Sequence, residues 1–186
     1  MTAKRAANRW PIFAHALYST NEGTHMPLVR IDLIEGRSDA EIAALLDASH
    51  AALVSAFGIP ERDRYQVVHE HRRNNVIFQD SGLAIPRTDQ VVLVSITTRA
   101  RSEASKLELF AELCQRLGVC CGIEPSDVIV SIVSNSDADW SFGYGRAQFK
   151  TGELTNFQPC DEGRHSDGKR RQENMPPDYP HELQSG

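Results

Sequence analysis

Arg99 and Arg101 stand two residues apart, just ahead of Ser102. If the chain there is extended, both point to the same side. Ser102 has the type and place of a helix N-cap, so the two cations sit beside a helix N-terminus. That costs a few tenths of a kcal/mol up to about 1 kcal/mol. A bound carboxylate would compensate. Ion pairs with nearby acids such as Glu103 would do the same. Asp63 lies in Pro60-Glu-Arg-Asp-Arg64, between a helical and an extended segment. It reads either as a turn aspartate or as a carboxylate that orients water or moves a proton. His69 and His71 share one strand face. Two such ligands can start a zinc site, but no third is evident, and we read them as exposed strand histidines. Trp140, Phe142 and Phe149 form a late aromatic cluster that is either core packing or the apolar wall of a small pocket.

The elements that must position these residues read as β-α-β twice. Leu28–Ile34 is a strand candidate. Ser38 then caps a helix, with Glu41 completing a capping box. Ile42, Leu45, Leu46, Leu53 and Phe57 follow at helical spacing, and Gly58 is placed as a C′ glycine. Residues 64–71 are extended again. Residues 91–98 form a third strand, whose continuous apolar opening predicts burial on both faces. A second helix follows Ser102, with an apolar stripe of Leu107, Phe110, Cys114 and Leu117, and residues 128–133 form the last strand.

The two halves align without gaps at an offset of 64: Arg37-Ser-Asp-Ala40 with Arg101-Ser-Glu-Ala104, Gly58-Ile59 with Gly122-Ile123, and Asp63 with Asp127. This is a duplicated β-α-β unit. Right-handed crossovers put both helices on one face of a four-stranded sheet. The other face then needs a cover, which further subunits would supply.

The chain has 186 residues, 40% of them hydrophobic, enough for one sizeable core. A net charge of -5 argues against nucleic-acid or membrane-surface partners. No apolar run approaches the roughly 20 residues of a membrane helix. Cys114, Cys120, Cys121 and Cys160 make no CxxC pair, so the expected setting is a reducing cytoplasm. Residues 1–26 read as an extension foreign to the core, and 155–186, rich in Pro, Gly and charge, as a disordered tail.

Met26-Pro-Leu-Val-Arg-Ile-Asp-Leu-Ile-Glu-Gly-Arg-Ser38 resembles the opening of the tautomerase superfamily. Glu61-Arg-Asp-Arg-Tyr-Gln-Val-Val68, Arg99-Ala-Arg101, Asp137-Ala-Asp-Trp-Ser-Phe-Gly143 and Thr151-Gly-Glu-Leu154 are similar to the malonate semialdehyde decarboxylase family within it. The similarity covers 27–154. It implies an α/β (α+β) fold with pseudo-twofold symmetry, a homotrimer and no cofactor or metal. It implies that Pro27, exposed by loss of Met26, is the catalytic amine. Asp63 would activate water, and Arg99 and Arg101 would hold and polarise a small carboxylate substrate. Trp140, Phe142, Phe149 and Leu154 would form the apolar wall. Val54 stands where the cis-specific dehalogenases of the superfamily place a histidine, which speaks against dehalogenation.

The implied reaction is decarboxylation of a small 3-oxo acid, malonate semialdehyde to acetaldehyde and CO2, with possible hydratase activity. A general keto-enol tautomerase using Pro27 as base is the alternative. A trimeric binding protein with a blocked proline is a third reading. In the full-length chain Pro27 follows Met26 through a tertiary amide, whose nitrogen is neither base nor nucleophile. We therefore expect translation to begin at Met26, with cleavage of a genuine extension as the alternative. Codons for Glu22-Gly23 can spell a purine-rich ribosome-binding sequence at the right distance.

Overall fold

The computed structural model describes residues 26–152. The expected extension and tail lie outside them, as does Leu154. Four strands, β1 Leu28–Ile34, β2 Tyr65–His71, β3 Val92–Arg99 and β4 Val128–Asn135, form one sheet in the order β2-β1-β3-β4. β1 runs parallel to β2, β3 parallel to β4, and β1 antiparallel to β3 across the middle. Helices α1 Asp39–Phe57 and α2 Glu103–Cys121 cross over within each half. Both lie on the same face, because Val29, Ile31, Leu33, Val92, Val94 and Ile96 share one core with Leu45, Leu53, Leu109, Leu113 and Leu117.

The helix ends are set locally. Ser38 accepts from the Glu41 amide, while the Glu41 carboxylate accepts from the Ser38 amide at 2.8 Å. Ser102 caps α2 through the Ser105 amide. Gly58 and Gly122 end the helices at φ 63° and 67°, a conformation that other residues adopt at a cost. Contrary to expectation, the 19 residues of α1 reach the length and composition of a membrane span. Here that apolar surface is spent on the sheet: Leu45, Ala52 and Leu53 are buried.

Two expectations are corrected. The buried stripe of α2 is Leu109, Leu113 and Leu117, not Leu107, Phe110, Cys114 and Leu117. Leu107 is 59% exposed and Phe110 sits at the surface. The spacing admits either stripe, and the crossing of α2 against α1 selects the i, i+4, i+8 leucine row. β3 is not buried on both faces either. Its burial alternates, with Leu93, Ser95 and Thr97 half-buried on the open side.

The duplication also carries a slip. Helices, caps, glycines and the β2/β4 pair match at an offset of 64. In β1 the inward residues are odd-numbered, Val29, Ile31 and Leu33; in β3 they are even-numbered, Val92, Val94 and Ile96. A shift of 64 would send Val29 to Leu93, on the opposite face. The strands instead match at 65, so Val29 answers to Val94 and Leu33 to Thr98. A single-residue slip exchanges the faces of a strand. The missing residue is in the linker: Glu35-Gly-Arg37 separates β1 from Ser38, whereas only Ala100-Arg101 separates β3 from Ser102. Gly36, at φ 125°, accommodates the longer turn.

Candidate active site

The start of β1, the start of β2 and the ends of β3 and β4 meet at one end of the sheet. Leu28 pairs with Tyr65 on one side and Thr97 on the other. Pro27, one residue earlier and buried, is therefore level with Thr98, which is fully buried. Asp63 lies two residues ahead of Tyr65, in a turn closed by its own amide donating to Pro60 O at 2.9 Å.

Asp63 is 8% exposed, and its Oδ1 has no hydrogen-bond partner among the described residues. Burial pushes its carboxyl up to about 6, against the pull of the nearby Arg101 guanidinium. Such a group changes protonation close to neutral pH.

The strand ends at Arg99, so the two arginines do not share one side. Arg101 is buried, with its guanidinium 4.8 Å from the centre of the Phe57 ring and Nη1 donating to Phe57 O at 3.4 Å. Arg99 turns toward the other face. Its Nε lies 2.5 Å from Asp137 Oδ1 and its Nη2 donates to Oδ2 at 3.3 Å. The compensating acid is thus Asp137, not Glu103. Asp137 lies in the short turn Asp137–Asp139 that follows β4, next to the end of β3 because β3 and β4 run parallel.

The aromatic residues assemble beside Arg99. Trp140 and Phe142 stack at 5.6 Å and 11°; Phe142 meets Phe149 edge-on at 5.2 Å. Arg99 lies over the Phe149 ring at 5.6 Å, and Tyr65 closes the group 6.1 Å from Phe142. Trp140 Nε1 donates to Asn135 Oδ1 at 2.9 Å, and Gln148 ties the loop by accepting from Phe142 N and donating to Gly143 O. Trp140 and Phe142 remain half-exposed while Phe149 is buried. The short helix α3, Gln148–Thr151, carries Phe149 inward.

The sheet end therefore holds two sets. Pro27, Thr98, Asp63 and Arg101 are buried residues at the end toward the helices. Arg99 and the aromatic group gather toward the open face. Sequence reading missed Thr98, Asp137, Tyr65 and Phe57 as members. Thr98 looks like any β-branched strand residue, and only its burial without a partner marks it. Grooves of about 530 Å³ (Asp47, His50, Glu61, Arg64, Arg116) and 330 Å³ (Arg37, Glu41, Gln90, Cys120, Cys121) lie elsewhere along α1. Neither is lined by the residues above.

Both histidines lie on strand β2, with His69 exposed as expected. On the open face, Asp32 lies 2.7 Å from His71 Nε2 and 3.3 Å from His69 Nδ1, and His71 is only half-exposed. Among the described residues, no three His, Cys, Asp or Glu side chains are placed to hold a metal ion.

A duplicated β-α-β unit whose paired strands carry an arginine-rich sheet end at the start of β1 defines a class, and the chain belongs to the tautomerase superfamily. Residues 27–85 match one family model described as tautomerase enzyme, and residues 63–143 match a second with the same description. Probable tautomerase YrdN of Bacillus subtilis (strain 168) is 50% identical over 129 residues, covering 69% of this chain and 100% of that protein. A crystal structure of malonate semialdehyde decarboxylase is 51% identical, with a TM-score of 0.67, covering 68% of this chain and 98% of the other. A second, FG41 malonate semialdehyde decarboxylase inhibited by 3-bromopropiolate, is 41% identical, with a TM-score of 0.65, covering 68% and 97%.

Proposed function

We propose that this enzyme decarboxylates a small 3-oxo acid, malonate semialdehyde being the simplest, through the secondary amine of Pro27. The observation that carries the proposal is a buried, unpartnered Asp63 carboxyl, raised to about 6, beside the buried Arg101 at the sheet end where β1 begins. The similarity to two malonate semialdehyde decarboxylases at 51% and 41% identity supports the choice of reaction.

In this reading the substrate carboxylate lies at the sheet end between Arg101 on the helix side and Arg99 on the open side, and both arginines hold it. Arg99 gives Nε and one Nη to Asp137, and a guanidinium has further N–H donors to offer. Pro27 either donates from its ammonium to the aldehyde oxygen or condenses with the aldehyde, losing water to give an iminium. The bond between the carboxylate carbon and C2 then breaks. Its electron pair moves into the polarised C=O or C=N, CO2 leaves, and the resulting enol or enamine takes a proton at carbon. In the iminium route, water that Asp63 activates releases acetaldehyde. Trp140, Phe142, Phe149 and Leu154 would exclude bulk water and favour loss of the carboxylate charge.

The amine exists only if the bond to Met26 is absent. We infer that Met26 is the working start and is removed. The superfamily match beginning at residue 27, and a relative covered end to end by 129 residues, support this. The open sheet face, where Tyr65, Val67 and Val133 are 41–59% exposed, supports a homotrimer as its cover.

Borohydride trapping with substrate, followed by mass spectrometry, tests the iminium: mass added at Pro27 supports it, and turnover without label selects the hydrogen-bonded route. A native protein that begins at Met1 and is fully active would overturn the role of Pro27. The similarity to a probable tautomerase keeps a second reading, Pro27 as the base of a keto-enol tautomerase. CO2 release from 3-oxopropanoate against ketonisation of phenylenolpyruvate separates the two.

A further inference from the structure

Thr98 is 0% exposed, on the core side of β3, and its Oγ1 has no hydrogen-bond partner among the described residues. A buried hydroxyl without a partner costs about 1–3 kcal/mol. The other half of the molecule shows that the fold does not require one. By the strand correspondence, Thr98 answers to Leu33 and Pro27 to Val92, and Leu33 and Val92 are cross-strand partners, both 0% exposed. At one end of the β1–β3 ladder the fold thus places an apolar pair. At the related end it places Pro27 opposite a threonine.

Directly opposed residues of an antiparallel pair have Cα atoms about 4.5–5.5 Å apart. At that spacing a side-chain hydroxyl on one residue can reach the nitrogen of the residue facing it. In the full-length chain that nitrogen is an amide without hydrogen and offers Thr98 nothing. A free Pro27 amine carries one N–H when neutral and two when protonated, both donors that the hydroxyl oxygen can accept.

We propose that Thr98 is a positioning residue: its hydroxyl accepts a hydrogen bond from the Pro27 amine, holding the nitrogen at the core side and favouring its protonated form. This rests on the reading of Pro27 as the working amine and adds to it a fixed orientation and a bias in protonation. The proposal concerns the free enzyme, so it is testable without substrate.

The experiment uses chain expressed from Met26 with 15N-labelled proline, and titrates the Pro27 nitrogen by NMR in wild type, Thr98→Val and Thr98→Ser. The valine variant keeps the shape and removes the acceptor. It should lower the amine pKa by about one unit, and serine should restore it. Thermal unfolding supplies the structural control. In full-length chain with Pro27 blocked, Thr98→Val should be neutral or stabilising; in chain starting at Pro27 that gain should shrink. An amine pKa unchanged by valine, or lowered equally by serine, overturns the proposal. CO2 release by the same wild-type sample is read separately. A valine-sensitive amine without turnover sinks the reaction assignment and leaves Thr98 in place. Turnover with a valine-insensitive amine does the opposite.

Discussion

Asp63 and Asp127 occupy the same step of the two β-α-β units, and their surroundings differ. Asp127 is 1% exposed and fully employed: its Oδ1 accepts from Thr88 N at 2.7 Å and its Oδ2 from Thr88 Oγ1 at 2.6 Å. Asp63 is buried as well, but its Oδ1 has no such partner, and its carboxyl is raised to about 6. The arginines diverge in parallel. Arg37 donates to the Gln90 carbonyl and side chain at the surface, while Arg101 packs under Phe57 beside Asp63. At the strand starts, Val92 is a plug in the core where the first half has Pro27. One copy of the unit uses its polar residues to close the chain on itself. The other keeps its aspartate buried with Oδ1 unpartnered among the described residues, at a cost in stability that a functional site can justify.

The comparison breaks most decisively at Pro27. Protein starting at Pro27 should exceed a form retaining Met26 by about 10²–10⁴-fold in kcat/KM, the range of a positioned acid–base group. Val92→Ala, at the related position, should lower stability without changing kcat. Steady-state kinetics on both forms, with calorimetry, checks this.

Exchanging the aspartates comes next. Asp63→Asn should lower kcat about 100-fold and leave stability at pH 7 unchanged or raised. Asp127→Asn should spare kcat and cost about 1–3 kcal/mol through the weakened Thr88 contacts. If both variants lose activity alike, the division of labour between the halves is wrong.

The arginine pair should follow with a smaller split. Arg101→Leu should raise KM for a 3-oxo acid about 10–100-fold, the loss of one charge-assisted contact. Arg37→Leu should leave KM within about twofold.

The pH dependence of stability is a finer test. The folded pKa of Asp63, about 6, lies above its ordinary value of 3.8, so the native state binds the proton more tightly. Stability from this site is complete below about pH 4 and is lost as pH rises through 6, by at most about 3 kcal/mol. Asp63→Asn should flatten that segment of a denaturation series, and Asp127→Asn should not.

The smallest effects test sameness. Ser38→Ala and Ser102→Ala remove equivalent caps and should each cost about 1 kcal/mol by chemical denaturation.

Much of the architecture was legible because it is decided within a few residues. Ser38 with Glu41, Ser102, Gly58 and Gly122 mark helix ends through backbone chemistry that no distant contact needs to supply. The period-two pattern of Leu28–Ile34 and the near-constant offset between the halves define strands and topology in the same way. The motifs around Asp63, Arg99, Arg101 and Trp140 were legible too, and the fold gathers them at one end of the sheet. What the tertiary structure alone decided depends on which side a residue faces and what it meets there. The Leu109, Leu113 and Leu117 stripe was chosen by the packing of α2. Arg99 turned to Asp137 because parallel pairing of β3 and β4 brings their ends together across 38 residues of chain. Asp32 drew in His69 and His71 through the β1–β2 register. The linker around Gly36 moved one strand by a residue, and with it faced Thr98 toward the core opposite Pro27. Local propensity carries no information about facing, because burial and pairing are properties of the assembled sheet.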